Sequence, residues 1–275
     1  EYIEMLQSFC SHGGGSLDMD TVASSDTWTA ALTAAGGVKA AVEVLTDTED
    51  ATTFVVARPP GHHASRSRAT GFCFFNNVAV TAALLRSRGS RVAILDWDAH
   101  HGNGTQDIFY DDPGLLYCSV HQDMFYPFEG ELSDIEAGPA EGTTVNIPLP
   151  AGTGGDVIRA AWGEIVIPVV KSFEPEWILV SAGYDGHVSD SLAEFRMTAD
   201  DYGWIAGELA LAHPQNRIVT VLEGGYDLDA LSESTRQTLL GYAGTARVGE
   251  SLGSPRESRT ALETAKAAVA RYWPL

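Results

Sequence analysis

VAILDWDAHHGNG, residues 92–104, is the stretch that decides the fold. Its first four residues, Val92–Leu95, form an apolar run that is typical of a strand buried on both faces of a parallel sheet. Polar residues follow at once, and Asp96, Asp98 and His100 occupy alternate positions. Alternate side chains of an extended segment share one face, so this spacing predicts a compact group of metal ligands at the strand end.

Similar apolar runs recur along the chain and alternate with helical patterns. The predicted strands are Thr53–Ala57, Val92–Leu95, Leu115–Ser119, Thr144–Ile147, Trp177–Ser181 and Ile218–Leu222. The predicted helices are Asp26–Leu45, Asn76–Arg88, Asp156–Ser172, Ala199–Leu211, Leu228–Tyr242 and Ser258–Tyr272. This alternation predicts an α/β fold with three αβα layers and a mainly parallel central sheet. No repeat or long linker divides the sequence, so we expect residues 1–275 to form a single domain.

Clusters of polar residues follow four of the predicted strands. They are RPPGHHA after 53–57, DWDAHHGNG after 92–95, GYDGH after 177–181 and EGGYD after 218–222. Ligands of open α/β sheets bind beyond the carboxyl ends of the strands, so we expect the four clusters to meet at one rim. The histidines expected there are His62, His63, His100, His101 and His187.

Three of these residues have the chemistry of a catalytic metal site. Asp98, His100 and Asp185 would form a three-ligand set with an open position, which is typical of catalytic rather than structural metals. The alternative is a hydrogen-bonded Asp/His cluster without a metal. His62 and His63 would then lie opposite as proton carriers, because imidazole titrates near neutral pH, although neighbouring histidines in loops are commonly surface residues.

Tyr226 follows a predicted strand and two glycines, which allow a backbone to approach a ligand closely. A tyrosine hydroxyl in this position could donate a hydrogen bond to a developing oxyanion. The alternative is a packing tyrosine in a turn.

The charge of the chain excludes some classes of partner. Acidic residues number 37 and basic residues 17, which gives a net charge of -20 over 275 residues. Nucleic-acid backbones and anionic membranes need a basic face, so we expect neither as a direct partner. The same charge suits a well-solvated surface or the attraction of a cationic substrate.

The cysteine count and the first residues bear on the compartment. Three cysteines imply no disulfide framework and suit a reducing compartment. The segment EYIEMLQSFC has no signal-peptide features, and no apolar run has the length of a membrane span. We therefore expect a cytoplasmic protein.

Six motifs together resemble the zinc-dependent histone deacetylase family and its bacterial deacetylase and acetylpolyamine amidohydrolase relatives. They are RPPGHHA, GFCFFNN, LDWDAHHGNGTQ, YCSVHQ, LVSAGYD and LEGGYD, in this order. The resemblance covers about residues 17–240, and the DWD and HHGNG segments resemble class II more than class I. It implies the arginase–deacetylase fold and the hydrolysis of an N-acetyl amide on an acetylated peptide or a small acetylated amine.

The resemblance also implies roles for individual residues. The implied zinc ligands are Asp98, His100 and Asp185, a set that also accepts Fe²⁺ or Co²⁺. The implied catalytic residues are His62, His63, Asp96, Asn103 and Tyr226. The implied substrate contacts are Asp20, Gly71, Phe72, Tyr126 and Leu192. The residues implied to hold a structural K⁺ are Asp96, Asp98, His100, Ser119 and Val120.

Within the implied catalytic set the two histidines have different partners. Asp96 would orient His62, and Asn103 would orient His63. A carboxylate partner favours the imidazolium form, whereas a neutral amide does not, so His63 is the expected general base and acid. Tyr226 would polarise the acetyl carbonyl.

Two features depart from the family pattern. Family members normally have a section before the part that matches Glu1, with an early strand and a rim loop, so we expect this chain to lack that part of the domain. The loop after Asp185 reads SDSLA at 189–193 and lacks the proline and glycine of the usual Asp-Pro-Leu-Gly. Leu192 stands where polyamine-selective members place a glutamate, which favours acyl-lysine substrates.

Three other functions compete with this one. An acetylpolyamine amidohydrolase and an inactive deacetylase-like binding module both fit the motifs. An arginase-like enzyme with two manganese ions would need aspartates where Gly102 and His187 stand, so we expect a single catalytic metal.

Overall fold

A computed structural model of the protein describes residues 1–48, 51–135, 138–213, 215 and 217–275. The strands are β1 (Gly15–Ser16), β2 (Val22–Ala23), β3 (Thr52–Val55), β4 (Val92–Asp96), β5 (Leu115–Gln122), β6 (Thr144–Leu149), β7 (Trp177–Ala182) and β8 (Ile218–Leu222). The helices are α1 (Tyr2–Ser11), α2 (Thr27–Thr46), α3 (Asn77–Ser87), α4 (Asn103–Phe109), α5 (Gly155–Ala161), α6 (Ile167–Phe173), α7 (Ala199–Ala212), α8 (Leu228–Tyr242) and α9 (Arg256–Val269). A π-helical turn, Trp162–Val166, joins α5 to α6, and a 3₁₀ turn spans Gly138–Ala140.

Six strands of the described residues form one parallel sheet in the order β3-β8-β7-β4-β5-β6, while β1 and β2 pair separately. The chain leaves β4 towards β5 and later returns to β7 on the other side of β4. The strand order therefore reverses between β4 and β7. In open α/β sheets such a reversal opens a crevice at the carboxyl ends of the two strands, where ligands bind.

Helices cover both faces of the sheet, as the apolar strands require. Along β4, Ala93 and Leu95 pack in a core with α5, α6, α7 and α9. Val92 and Ile94 pack on the opposite face with α2, α3 and α4. The predicted three-layer αβα fold with a mainly parallel sheet is confirmed.

The predicted strands and helices are all present, with shifts at their ends. The predicted strand Thr53–Ala57 lies at 52–55, and β5 runs three residues beyond the predicted end at Ser119. The predicted helix Asp156–Ser172 is interrupted by the π turn, and the predicted helix Ser258–Tyr272 begins and ends earlier, at 256 and 269. Three features were not predicted: α1, α4 and the small β1–β2 sheet. The two strands and α4 are short, whereas α1 has apolar residues at helical spacing, with Leu6 and Cys10 buried.

Replacing Leu95 with alanine tests the importance of this central strand. Leu95 is fully buried, so we expect Leu95→Ala to lower the free energy of unfolding by about 3 kcal/mol. Leu211→Ala is the matched control, because Leu211 is 78% exposed on α7 and its loss should cost about 0.5 kcal/mol or less. Urea denaturation measures both, and equal losses would contradict the proposed packing of β4.

Candidate active site

A cavity of about 230 Å³ opens at the carboxyl ends of the central strands. It is lined by Asp20, Pro60, His62, His63, Gly71, Phe72, Asp98, His100, Tyr126, Leu192, Gly224 and Tyr226. Polar groups come from the segments after β3, β4 and β8 and from the turn between β1 and β2, and apolar side chains come from the surrounding loops. The cavity therefore lies beyond the end of β4, where the strand order reverses.

Asp98, His100 and Asp185 meet at the inner end of this cavity, with ligand atoms within 4.8 Å of one another. His100 Nδ1 lies 3.0 Å from Asp98 Oδ1 and 2.9 Å from Asp185 Oδ2. Both carboxylates are buried and also accept backbone hydrogen bonds, from Gly224 N to Asp98 Oδ2 and from Ala99 N to Asp185 Oδ1, each 2.9 Å. Two carboxylates and an imidazole form a donor set for divalent metals. Two buried negative charges side by side need a positive charge, which either a bound metal ion or a protonated His100 would supply. The residues fit a metal ion.

The chain reaches this arrangement by bending directly after β4. Asp98 N donates to Asp96 Oδ1 at 3.1 Å, and His100 N donates to Asp98 Oδ1 at 2.9 Å. Such bonds to an aspartate side chain two residues earlier form tight local turns. The prediction of one extended edge through residue 100 was therefore wrong, because the strand ends at Asp96 and turns bring His100 to the ligand group.

His62 and His63 lie side by side, with ring centroids 4.0 Å apart, and have different partners. His62 Nδ1 is 3.0 Å from Asp96 Oδ2, and His63 Nδ1 is 2.9 Å from Asn103 Oδ1. Burial disfavours charge on His62, but the carboxylates of Asp96 and Asp98 outweigh it and raise the pKa to about 10. Burial and the neighbouring charge on His62 lower the pKa of His63 well below its usual range. The pair thus combines a charged and a neutral imidazole.

Tyr226 reaches the cavity from the loop after β8. Burial, with the nearby charges of Asp98 and Asp185, raises the pKa of its phenol, so the hydroxyl stays protonated at neutral pH. The Arg58 guanidinium lies over its ring, 5.7 Å from the centroid, and donates to the carbonyl of Gly225 at 2.9 Å.

Apolar residues form the walls and the mouth. Phe72 and Leu192 are 40% and 41% exposed, and so lie at the rim. Tyr126 is held by a 2.9 Å hydrogen bond between its hydroxyl and Thr70 Oγ1, with its ring 5.1 Å from that of His63. Asp20 is exposed at the same opening.

Gly71 lies against the catalytic histidine candidate His63. Its φ of +56° favours glycine, and a Cβ there would lie 2.4 Å from His63 Cδ2. The backbone at Gly71 therefore forms part of the wall, and a larger residue would displace the imidazole.

His101 and His187 do not line the cavity, so the prediction that five histidines meet there was wrong for these two. His101 is buried, with Nε2 3.0 Å from Gln106 Oε1 and its ring 4.7 Å from that of His121. His187 Nδ1 accepts a 3.1 Å hydrogen bond from Ser189 N in its own loop. Adjacent side chains in a bend point in different directions, which spacing alone does not reveal.

Ser119 and Val120, the remaining residues of the predicted K⁺ site, lie on β5 beside β4. Ser119 pairs with Asp96 across the two strands, and its hydroxyl lies 2.9 Å from His121 Nδ1. The K⁺ site stays a prediction.

Glu223 is a buried residue of the site that sequence reasoning missed. Its Oε2 accepts hydrogen bonds from Gly61 N at 2.6 Å and His62 N at 3.2 Å, and its Oε1 accepts one from Ser181 Oγ at 3.1 Å. Burial raises the pKa of its carboxyl to about 7. A carboxylate directly after an apolar strand was the available signal, because a buried charge needs partners.

Asp190 is the second such residue. It lies in the loop after β7 and accepts a 2.6 Å hydrogen bond from Tyr226 N at Oδ2. No local pattern of the SDSLA segment indicates this partner, which lies 36 positions further along the chain.

Comparison with known proteins identifies the family of the chain. The profile of the histone deacetylase domain matches residues 1–242. The chain belongs to the histone deacetylase family. The predicted resemblance is thus confirmed, and the matched range includes every motif that carried it.

Relatives within the histone deacetylase family are similar along most of this chain. It is 40% identical to "Probable deacetylase" of Archaeoglobus fulgidus, over 94% of this chain and 71% of that protein. It is 39% identical to "Histone deacetylase 14, chloroplastic" of Arabidopsis thaliana, over 90% of this chain but only 62% of that protein. The crystal structure of the HDA15 HD domain matches with a TM-score of 0.90 and 29% identity, over 99% of this chain and 76% of that chain.

The helices formed by the described residues do not meet the requirements of a bilayer span. None of them combines the length and the apolar character that a transmembrane helix needs.

The glycine at 224 provides a test of the metal site. A Cβ there would lie 2.3 Å from Asp185 Oδ2 and 2.6 Å from Asp98 Oδ2, so Gly224→Ala should displace both carboxylates. We expect weaker Zn²⁺ binding by about 10- to 100-fold, the range for disturbed surroundings of metal ligands. Titration against a chelating indicator measures it. Gly36→Ala is the control, since a Cβ there meets nothing within 4 Å, and equal affinity in the two variants would contradict the assignment.

Proposed function

We propose that the protein is a zinc-dependent deacetylase that hydrolyses the N-acetyl amide of acetylated lysine side chains. The observation that carries the proposal is a three-ligand group at a cavity of about 230 Å³ that is also lined by a histidine pair and a tyrosine. Membership of the histone deacetylase family supports hydrolysis of an acetyl amide. In this proposal residues 1–275 act as one catalytic domain.

Asp98, His100 and Asp185 would hold the zinc ion, which would supply Lewis acidity and lower the pKa of a bound water to about 7. A structural K⁺ near Asp96 and Ser119 belongs to the same proposal. The two carboxylate ligands of the zinc ion, Asp98 and Asp185, are already fixed by backbone N–H groups, so the site needs little rearrangement to bind zinc.

His63 is the proposed general base and acid. It lines the cavity, and its pKa lies well below the usual range because of burial and the charge on His62, so it is neutral and can accept a proton. It would take a proton from the attacking water and deliver it to the amide nitrogen. The C–N bond then breaks, which releases acetate and the free amine.

His62 and Asp96 would act through charge. The buried Asp96 carboxylate holds His62 as an imidazolium beside His63. This positive charge keeps His63 neutral before the reaction, and it would stabilise negative charge that develops in the cavity during the attack.

Tyr226 would donate a hydrogen bond to the carbonyl oxygen as that oxygen becomes negative. Its raised pKa keeps the proton on the phenol, as a hydrogen-bond donor requires. Donors that are already in place when charge develops contribute most to such catalysis.

The walls of the cavity suit the lysine side chain. Phe72, Tyr126 and Leu192 would pack against its four methylene groups, and Asp20 at the mouth would accept a hydrogen bond from the peptide backbone. The exposed rim leaves room for a peptide to lie across the opening.

Acetylpolyamine hydrolysis is the second candidate, and Asp20 is the observation that favours it. An acetylpolyamine carries a free ammonium group beyond its methylene chain, and a carboxylate at the mouth could pair with it. The net charge of -20 would also attract such a substrate.

A direct assay tests the proposal and separates the two substrates. Purified protein would be incubated with an acetyl-lysine peptide or with N-acetylputrescine, in each case with a chelator or with added Zn²⁺. We expect zinc-dependent release of acetate, with higher kcat/KM for the peptide. Failure of the folded, zinc-loaded protein to release acetate from either substrate would refute the proposal.

Asp20→Asn separates the two substrates further, because it removes the charge and keeps the size. It should raise KM for N-acetylputrescine more than for the peptide if the carboxylate pairs with a free ammonium group. An equal effect on both would argue against charge pairing at the mouth.

Two substitutions test the proposed catalytic roles. His63→Ala should lower kcat by about 10²- to 10⁴-fold, the usual value of general acid–base catalysis. Tyr226→Phe should lower it by about 10²- to 10³-fold through loss of one hydrogen-bond donor. Steady-state acetate release measures both. His12→Ala and Tyr272→Phe are matched controls at exposed positions. A His63→Ala variant with the same kcat as His12→Ala would refute the proposed mechanism.

A further inference from the structure

We infer that Asp190 is a positioning residue that holds Tyr226 and the cavity wall at Leu192 in one fixed relation. The inference rests on the proposed function and adds a residue to it. Asp190 lies outside the cavity lining, and its side chain is 8% exposed.

The Asp190 carboxylate joins two loops that lie far apart in sequence. Its Oδ2 accepts hydrogen bonds from Tyr226 N at 2.6 Å and Asp227 N at 3.1 Å, in the loop after β8. Its Oδ1 accepts a 3.0 Å hydrogen bond from Leu192 N, in its own loop after β7. One group therefore connects the backbone of the proposed oxyanion donor to that of a wall residue.

The loop before Tyr226 depends on such contacts from outside. It contains two consecutive glycines, and Gly225 has a φ of +121°, a conformation that few other residues adopt. Glycines restrict the backbone least, so the loop is not rigid by itself. Arg58 holds the Gly225 carbonyl from one side, and Asp190 holds the amides of Tyr226 and Asp227.

Small shifts at this point affect catalysis strongly. A hydrogen-bond donor must lie about 2.7–3.1 Å from the oxygen that becomes negative, and a displacement of about 1 Å can cost about 100-fold in rate. Because Tyr226 contacts the reacting oxygen mainly in the transition state, its displacement should lower kcat rather than raise KM.

The same carboxylate also closes a turn within the loop at 189–193. The usual proline and glycine of this loop are absent, yet Leu192 lines the cavity. The hydrogen bond from Leu192 N to Asp190 Oδ1 closes the turn from within.

Asp190→Asn is the sharpest substitution because it keeps the size and removes one acceptor. An amide has a single acceptor oxygen, so its NH₂ group must face either the Leu192 amide or the Tyr226 amide. The two donors at Oδ2 favour placing the remaining oxygen towards Tyr226 N and Asp227 N. The loss of the negative charge still weakens both of these hydrogen bonds. We expect kcat to fall by about 10- to 100-fold, with a much smaller change in KM.

A double-mutant cycle with Tyr226→Phe distinguishes positioning from a general structural effect. If Asp190 acts through the phenol, adding Asp190→Asn to Tyr226→Phe should change kcat by no more than about twofold. The peptide substrate and zinc-loaded protein are used throughout, and thermal unfolding is recorded for each variant.

Asp112→Asn is the matched control. Asp112 closes a turn through a 2.9 Å hydrogen bond from Gly114 N, but this turn precedes β5 at the opposite end of the strands. Asp112→Asn should lower the free energy of unfolding without changing kcat.

Three results would overturn this inference without refuting the proposed function. They are a kcat for Asp190→Asn equal to wild type, a loss that is undiminished in the Tyr226→Phe background, and a variant unfolded at the assay temperature, which would assign Asp190 to stability. An inactive wild-type protein would refute the proposed function and this inference with it, so the two failures are distinguishable.

Discussion

Four buried carboxylates constrain the rest of the site: Asp96, Asp98, Asp185 and Glu223. A buried charge costs several kcal/mol unless hydrogen bonds and opposite charges offset the loss of water. Each carboxylate meets this need with backbone N–H groups, which come from three segments, at positions 61–62, 98–99 and 224. The hydrogen bonds that stabilise the carboxylates therefore also fix the loops, and these loops give the cavity its shape.

The same negative charges determine the protonation of the histidine pair. His62 lies against Asp96 and carries a proton, and its charge together with burial keeps His63 neutral. Asn103, a neutral hydrogen-bond partner, lets His63 keep its orientation without gaining charge. Two identical side chains, adjacent in sequence, thus differ in protonation because one has a carboxylate partner and the other an amide.

Much of this arrangement could be predicted from sequence, since apolar runs mark the strands and each polar cluster follows one. The group of Asp98, His100 and Asp185 follows from this rule and from the motifs. The bend after Asp96 could not be predicted, because it depends on hydrogen bonds between side chains and nearby amides. The position of Glu223 after an apolar strand indicates that it needs partners, but no local pattern identifies the amides, 162 and 36 positions away, that Glu223 and Asp190 contact.

The glycines that pack on the carboxylates restrict the inner part of the cavity more than the rim, because larger side chains at these glycines would clash with the ligands. At Gly183 and Gly224 a Cβ would come within 2.6 Å of Asp98, so these loops admit no larger residue while the ligands keep their places. Phe72 and Leu192, by contrast, are exposed at the rim, and Leu192 is fastened through its backbone amide alone. Its side chain can change without loss of that bond. A change of side chain at the mouth can therefore leave the ligand group at the inner end in place.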